Sequence, residues 1–109
     1  MNLGINPATC YFPQANFVDM RSITSSEFQV LQQLVFIESF DTVQNETGLS
    51  YGELRDDLIN LLSVGMVEVY SDKEEHAYIK RTYFDSDHPN RYYYRATKTG
   101  LDALKTYRP

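Results

Sequence analysis

Residues 46–70 read ETGLSYGELRDDLINLLSVGMVEVY, and this stretch decides the fold. Gly48 is typical of the left-handed residue that ends a helix. Ser50 and Glu53 have the spacing of a capping box, in which each side chain accepts a hydrogen bond from a free backbone N–H at a helix start. Gly65 is typical of a second helix end. Between these signals the leucines recur at helical spacing: Leu54, Leu58, Leu61 and Leu62.

A strand pattern follows this helix. Val67 and Val69 alternate with Glu68 and Tyr70, which is the period of a β-strand. A short helix, a tight turn, a helix over 51–64 and then a strand form the core of a winged helix-turn-helix. We therefore expect an α+β fold of the winged helix-turn-helix kind, with a three-helix core, a β-hairpin wing and a C-terminal helix.

The first helix is predicted from another capping box, Thr24-Ser-Ser-Glu27. Its apolar stripe comprises Phe28, Leu31, Leu34, Val35, Ile37 and Phe40. The helix is predicted to end near Phe40, because Asp41-Thr42 is a new N-cap signal. Residues 42–47 are then predicted to form the short second helix, anchored by Val43.

The C-terminal third predicts a hairpin and a last helix. Residues 76–84 and 91–97 favour strands, and the segment between them, 85–90, is dense in turn-forming residues. We expect these two runs to pair as an antiparallel hairpin, the wing, with its tip at 85–90. Thr99 is predicted to cap the last helix. The packing stripe of that helix would be Leu101, Leu104 and Tyr107.

The domain is predicted to span 23–109 and to follow an irregular arm, residues 1–22. A chain of 109 residues with 42% hydrophobic residues suffices for one domain with a genuine core. The arm has two prolines and several aromatic residues, so we expect it to pack either on its own domain or on a partner subunit. The single cysteine, Cys10, excludes an internal disulfide and fits a reducing compartment. With no apolar leader or membrane-length run visible, a cytoplasmic location is expected.

Charge is distributed unevenly along the chain. Residues 1–75 hold three basic and twelve acidic side chains, a net charge of −9, whereas residues 76–109 hold seven basic and three acidic ones, a net charge of +4. The total of −5 argues against a broadly basic nucleic-acid binder. The asymmetry is typical of a localised nucleic-acid surface or of complementary faces that meet in an oligomer.

The segment Tyr94-Arg-Ala-Thr-Lys-Thr-Gly100 resembles the Y-x-L-T-x-x-G element that closes the wing in bacterial winged-helix regulators of the MarR and PadR type. Residues 46–70 resemble the helix-turn-helix pattern of the same regulators, and the likeness covers roughly residues 26–105. Ala96 departs from the family pattern, which has leucine there. The resemblance implies a transcriptional regulator that binds double-stranded DNA, with helix 51–64 as the recognition helix and the hairpin 78–97 as the wing.

Ten residues are the candidate DNA contacts. Asn60 suits a contact to adenine, and Ser63 suits a base or a phosphate. The candidates on the recognition helix are Ser50, Tyr51, Arg55, Asn60 and Ser63. The candidates for phosphate contacts in and beside the wing are Lys80, Arg81, Arg91, Arg95 and Lys98. A homodimer is expected, because two half-sites multiply an affinity that one small acidic module can scarcely supply.

A second interpretation is a winged helix that contacts protein and does not bind DNA. Glu53 and Asp56 share a helix face with Asn60 and would meet phosphates with like charge. In the wing, the corresponding alternative is that the tyrosines cover the core and the arginines pair with the acidic half of the chain.

Enzymatic and metal chemistry are not predicted. Two groups contain potential metal ligands, but both fall in predicted turns without a spacing fixed by a regular element. They are Glu74, Glu75 and His76, and Asp85, Asp87 and His88. Cys10 has no neighbouring base, and no glycine-rich phosphate loop is present. We therefore expect no catalytic residue, no metal and no cofactor.

Overall fold

The computed structural model describes residues 23–108, so the predicted arm over 1–22 lies outside the described residues. Within 23–108 the predicted α+β class is confirmed: four α-helices pack with one four-stranded antiparallel sheet. In chain order the elements are α1 (Ser25–Gln33), β1 (Glu38–Ser39), α2 (Phe40–Thr47), α3 (Tyr51–Ser63), β2 (Val67–Tyr70), β3 (Tyr78–Ile79), β4 (Tyr93–Ala96) and α4 (Lys98–Thr106). Short 3₁₀ turns cover 75–77, 81–83 and 89–91.

Both predicted capping boxes form. Thr24 Oγ1 accepts a hydrogen bond from the Glu27 backbone N–H at 3.1 Å, and Glu27 Oε1 accepts one from the Thr24 N–H at 2.9 Å. Ser50 and Glu53 make the same reciprocal pair, at 3.2 and 2.9 Å. These contacts fix the starts of α1 and α3, because they satisfy N–H groups that have no partner within the helix.

The two predicted glycine helix ends are also confirmed. Gly48 and Gly65 have φ angles of 72° and 75°, in the left-handed region that favours glycine. Gly48 ends α2, so that only residues 48–50 separate α2 from α3. A turn this short fixes the angle between the two helices.

The predicted boundary between the first two helices is wrong. α1 ends at Gln33 and not near Phe40, and α2 begins at Phe40 and not at residue 42. Its N-cap is Ser39, whose Oγ accepts a hydrogen bond from the Thr42 N–H at 3.1 Å, and not Asp41.

The physical reason is that the chain after α1 joins the sheet. The Leu34 carbonyl accepts a hydrogen bond from the Ala96 N–H at 2.7 Å, and β1 then pairs with β4. Strand pairing therefore takes the backbone groups that a longer α1 would have used. Val35 and Phe36 are 45% and 77% exposed, so they do not extend the apolar stripe of α1.

The predicted hairpin between 76–84 and 91–97 is also wrong. The strand order is β1-β4-β2-β3: β4 pairs with β2, from Val67↔Ala96 to Tyr70↔Tyr93, and β3 pairs with the other edge of β2. Side-chain burial accounts for this pairing, because β2 and β4 both contribute buried side chains to the core: Val67, Val69, Tyr94 and Ala96.

The core lies between the helices and one face of the sheet. Its fully buried members include Val30, Leu31, Leu34, Phe40, Val43, Leu54, Leu58, Leu61 and Tyr94. α4 adds Leu101 and Leu104 of the predicted stripe, and Tyr107, the third residue of that stripe, packs against the core directly after the end of α4. The predicted cap of α4 is wrong, because Thr97 and not Thr99 accepts the hydrogen bond, from the Gly100 N–H at 3.2 Å. None of the helices in 23–108 is long and apolar enough to cross a membrane.

Candidate nucleic-acid interface

α3 presents one polar face to solvent, as predicted. Its four leucines are buried in the core. The opposite face is exposed and comprises Gly52, Glu53, Asp56, Asn60 and Ser63. Either DNA or a protein partner would contact α3 through this face.

Four of the five candidate residues on the recognition helix lie at or beside this face. Ser50 is occupied as the N-cap of α3. Tyr51 is 42% exposed and packs against Phe40, with ring centroids 5.2 Å apart. Ser63 Oγ donates to the Asn60 backbone oxygen at 2.7 Å, and the Asn60 side chain is exposed. Asn60 is therefore the most available hydrogen-bonding group on this face.

Arg55 lies at the flank of α3 and is engaged inside the domain. Its Nε donates to the Ser86 carbonyl at 2.8 Å. Its guanidinium also lies 3.7 Å from an Asp56 carboxylate oxygen and 3.9 Å from an Asp87 carboxylate oxygen. A ligand phosphate would have to compete with these three partners.

The segment 81–88, which we call the flanking segment, lies along this side of α3. Arg81 Nη1 donates to the carbonyls of Leu62 and Ser63, each at 3.1 Å, and so satisfies the C-terminal end of α3. Together with the Arg55–Ser86 contact, this places the two chain segments antiparallel. Between them is a groove of about 320 Å³, lined by Ile59, Leu62, Ser63, Arg81, Phe84 and Ser86.

The predicted wing tip, 85–90, is therefore packed on the domain and is not the tip of a hairpin. Tyr94 is fully buried, and its hydroxyl donates to the Pro89 carbonyl at 2.6 Å. Pro89 is itself buried. Burial strongly raises the pKa of the Tyr94 phenol, so it stays a neutral donor. This buried hydrogen bond fixes residues 85–90 against the rest of the domain.

Arg95, a candidate phosphate contact, lies in a network on the sheet. Its Nη1 donates to Glu75 at 2.8 Å, and its Nη2 donates to the Tyr70 hydroxyl at 2.7 Å. Tyr70 donates in turn to Glu68 at 2.8 Å. The hydrogen bond to Glu75 raises the pKa of Arg95, while burial and then Glu68 raise the pKa of Tyr70 to about 12. Here the alternative interpretation holds, since this arginine pairs with the acidic half of the chain.

The remaining candidate cations face solvent. The Lys80 side chain is exposed and makes no hydrogen bond or ion pair with the described residues. Arg91 lies 4.0 Å from Asp85, and Lys98 lies 3.3 Å from Asp102, both as exposed surface pairs. Because such pairs contribute little free energy, these cations are available to an outside anion.

A further acidic group lies beside the exposed face of α3. Asp57 follows Asp56, and one of its carboxylate oxygens is buried without a hydrogen-bond partner among the residues described. Burial raises the pKa of Asp57, and the negative charges of Glu27, Asp56 and Glu53 raise it further, against a hydrogen bond from Ser26.

The flanking segment adds Asp85 and Asp87 beside α3. A hydrogen bond from His88, with Nδ1 and Oδ2 2.8 Å apart, lowers the pKa of Asp85 and keeps it ionised. Both carboxylates were predicted to lie at a projecting tip. No sequence signal connects them with α3, because contacts such as Arg55–Ser86 join residues 31 positions apart.

Among residues 23–108, the structure shows no metal-binding arrangement of three or more histidine, cysteine, aspartate or glutamate side chains.

No protein-family model, no curated protein and no solved structure matches this chain.

Proposed function

We propose that residues 23–108 form a winged helix-turn-helix domain and that the chain is a DNA-binding transcriptional regulator of the MarR/PadR type. The topology carries this proposal. β1 lies between α1 and α2, a three-residue turn joins α2 to α3, and β4 lies between β1 and β2 in the sheet. This order leaves α3 exposed and places the long connection between β2 and β4 beside it.

In this proposal α3 enters the major groove through Asn60 and Ser63. Asn60 offers an amide that pairs with adenine, and Ser63 reaches a base or a phosphate. The phosphate contacts come from the exposed cations Lys80, Arg91 and Lys98. Arg55, Arg81 and Arg95 have a supporting role instead, because their guanidinium groups already hold the flanking segment and the sheet.

A homodimer acting in the cytoplasm is part of the proposal. Three phosphate contacts from one protomer give weak binding, and Glu53 and Asp56 oppose it. Two protomers on two half-sites double the contacts and multiply the affinity. No catalytic step is assigned.

The first test is fluorescence anisotropy with mixed genomic duplex at about 50 and about 200 mM salt, where binding that depends on phosphate contacts weakens steeply. The informative variant is Lys80→Gln with Arg91→Gln, which spares the structural arginines. It is expected to weaken binding on all sequences and to reduce the salt slope by about one for each cation removed from a phosphate. Lys105→Gln with Arg108→Gln removes equal charge from the α4 end and is the control. Absence of binding at both salt concentrations, from folded protein, would refute the proposal.

A second candidate function, docking of a protein partner on α3, is favoured by a specific observation. The exposed face of α3 carries Glu53 and Asp56, and the nearby Arg55 and Arg81 are engaged by backbone carbonyls. Such a surface suits a basic protein better than a phosphate-lined groove.

This second function predicts no duplex binding and a salt-sensitive association with protein. Light scattering of the protein alone at the same two salt concentrations detects self-association. Asp56→Lys is expected to abolish it, whereas Asp72→Lys, an exposed carboxylate between β2 and β3, leaves it intact. Equal effects of the two variants would assign the association to net charge and not to α3.

A further inference from the structure

The turn between α1 and β1 exposes an apolar surface, the Phe36 patch, formed by Val35, Phe36 and Ile37. Phe36 is 77% exposed and Val35 45% exposed, while Ile37 is half-buried. A groove of about 500 Å³ adjoins them, and its other walls are Lys73, Glu75 and Arg95. An aromatic ring held in water beside a groove with charged walls is typical of an interaction site.

The chain itself contains a segment that matches this surface. Residues 11–18 read YFPQANFV and carry three aromatic side chains, one valine and no charge. An uncharged aromatic segment suits an apolar floor, and its Gln14 and Asn16 suit the charged walls, since both amides donate and accept hydrogen bonds.

The distance along the chain also fits. Ile23 is buried in the core immediately before α1, so it fixes where the preceding segment leaves the domain. α1 has nine residues and is therefore about 14 Å long at 1.5 Å per residue. Phe17 precedes Ile23 by six residues, which reach roughly 20 Å when extended. Phe17 can thus reach the far end of α1, where Phe36 lies, and Phe12 has length to spare.

We propose that residues 11–18 pack on the Phe36 patch of the same chain. This contact covers Phe36, fills the groove beside it and fastens the N-terminal segment to the outside of the domain. It explains why a strongly apolar turn follows α1 without a partner among residues 23–108. It does not depend on whether α3 binds DNA or protein.

The single cysteine makes the proposal directly testable in the full chain. A nitroxide on Cys10 is expected to broaden the backbone amide signals of Val35, Phe36 and Ile37 in a ¹⁵N-labelled sample. The signal of Tyr83 is expected to stay sharp, because Tyr83 follows β3, at the opposite edge of the sheet from β1. Broadening that is uniform over the domain, or centred elsewhere, would overturn the proposal.

Two variants distinguish a specific contact with Phe36 from nonspecific hydrophobic contact with any exposed ring. Phe36→Ser is expected to abolish the selective broadening, whereas Tyr83→Ser, which removes a ring that is 75% exposed, leaves it intact. Both side chains are largely exposed, so both variants are expected to fold, and circular dichroism checks this.

A mixed sample distinguishes the same chain from a second copy. Spin-labelled chains without ¹⁵N are mixed with ¹⁵N-labelled chains whose Cys10 is blocked, and no broadening is expected. Broadening in this mixture would show that the segment docks on a second copy and would overturn the assignment to one chain.

Trypsin gives an independent measurement, since Arg21 is the only basic residue in 1–22. Cleavage there is expected to be faster in Phe36→Ser than in Tyr83→Ser.

Discussion

Replacing Gly100 by alanine is expected to destabilise the fold, although alanine normally strengthens a helix. Gly100 is buried in the first turn of α4. A Cβ atom at this position would overlap the Met66 carbonyl oxygen, and it would lie 3.1 Å from the Met66 carbonyl carbon and 3.2 Å from Leu31 Cδ2. The methyl group therefore meets backbone on one side and a core side chain on the other.

The Met66 backbone has little room to move away. Its N–H donates to the Leu61 carbonyl at 2.9 Å, and its carbonyl accepts from the Thr97 N–H at 2.9 Å. α4 must shift instead, which disturbs its packing on α1. Overpacking of this kind costs about 3 kcal/mol when rigid groups are involved, and the helix propensity of alanine returns about 1 kcal/mol. The expected net loss is about 2 kcal/mol, or roughly 8–16 °C in melting temperature for a domain of this size.

Gly52→Ala is the matched control. Gly52 lies in the first turn of α3, and a Cβ atom added there would have no other atom within 4 Å, so alanine is expected to gain the same propensity term of about 1 kcal/mol with no overlap to oppose it. Urea unfolding followed by circular dichroism measures both variants. The reasoning about close approach fails if Gly100→Ala is as stable as the wild type while Gly52→Ala behaves as expected.

Three further substitutions test individual contacts by urea unfolding. Asp57→Asn is expected to stabilise the protein at pH 7, because the raised pKa of Asp57 means that the fold disfavours its charged form. The gain should vanish below about pH 3.9, the ordinary pKa of an aspartate, because the carboxyl group is then protonated in both the folded and the unfolded protein. An equal gain at both pH values would contradict this. Thr97→Val removes a hydroxyl that donates to the Gly65 carbonyl at 2.6 Å and accepts from the Gly100 N–H at 3.2 Å as the cap of α4, and a loss of about 1–2 kcal/mol is expected. Tyr94→Phe leaves the Pro89 carbonyl without its donor, with a similar expected loss of about 1–2 kcal/mol; no change would show that water replaces the phenol.

Four helix ends were predictable from the sequence because their determinants are local: the starts of α1 and α3 and the glycine ends of α2 and α3. The capping box of Ser50 and Glu53 and the left-handed Gly48 involve residues within a few positions of each other, so a short window contains the whole interaction. The end of α1 was mispredicted because its cause is distant. Leu34 bonds to Ala96, which is 62 positions away, and no helical signal near Leu34 reveals that partner.

The same limit applies to the sheet. Residues 76–84 and 91–97 both favour strands and are separated by turn formers, so a hairpin was the nearest pairing. β4 pairs instead with β2, because that register places Tyr94 beside Val69 and buries both. Strand propensity says that a segment extends, but burial decides which strand lies beside it.

For the candidate site, the exposed face of α3 was predictable from helical periodicity, but the availability of the arginines was not. Arg81 bonds to Ser63, which is 18 positions away, and Arg95 bonds to Glu75, which is 20 positions away. A set of cations taken from the sequence therefore overstated the basic surface. A cation becomes available to a ligand when the fold leaves it unpaired, as with Lys80, or holds it only in an exposed surface pair, as with Arg91 and Lys98.

Three residues carry the resemblance to MarR and PadR regulators that the sequence analysis expects, and each of them has a structural contact of its own. Tyr94 is buried and holds the Pro89 carbonyl, Thr97 joins the start of α4 to the Gly65 carbonyl, and Gly100 lets α4 approach Met66. Each of the three matching residues supports the fold, and none of them faces outward to a ligand. These contacts account for the three residues without a ligand, and they are silent about what α3 contacts. What α3 contacts depends on Asn60, on the exposed cations and on the acidic groups near them. The variant that separates DNA binding from protein docking is therefore Lys80→Gln with Arg91→Gln, and not a substitution within residues 94–100.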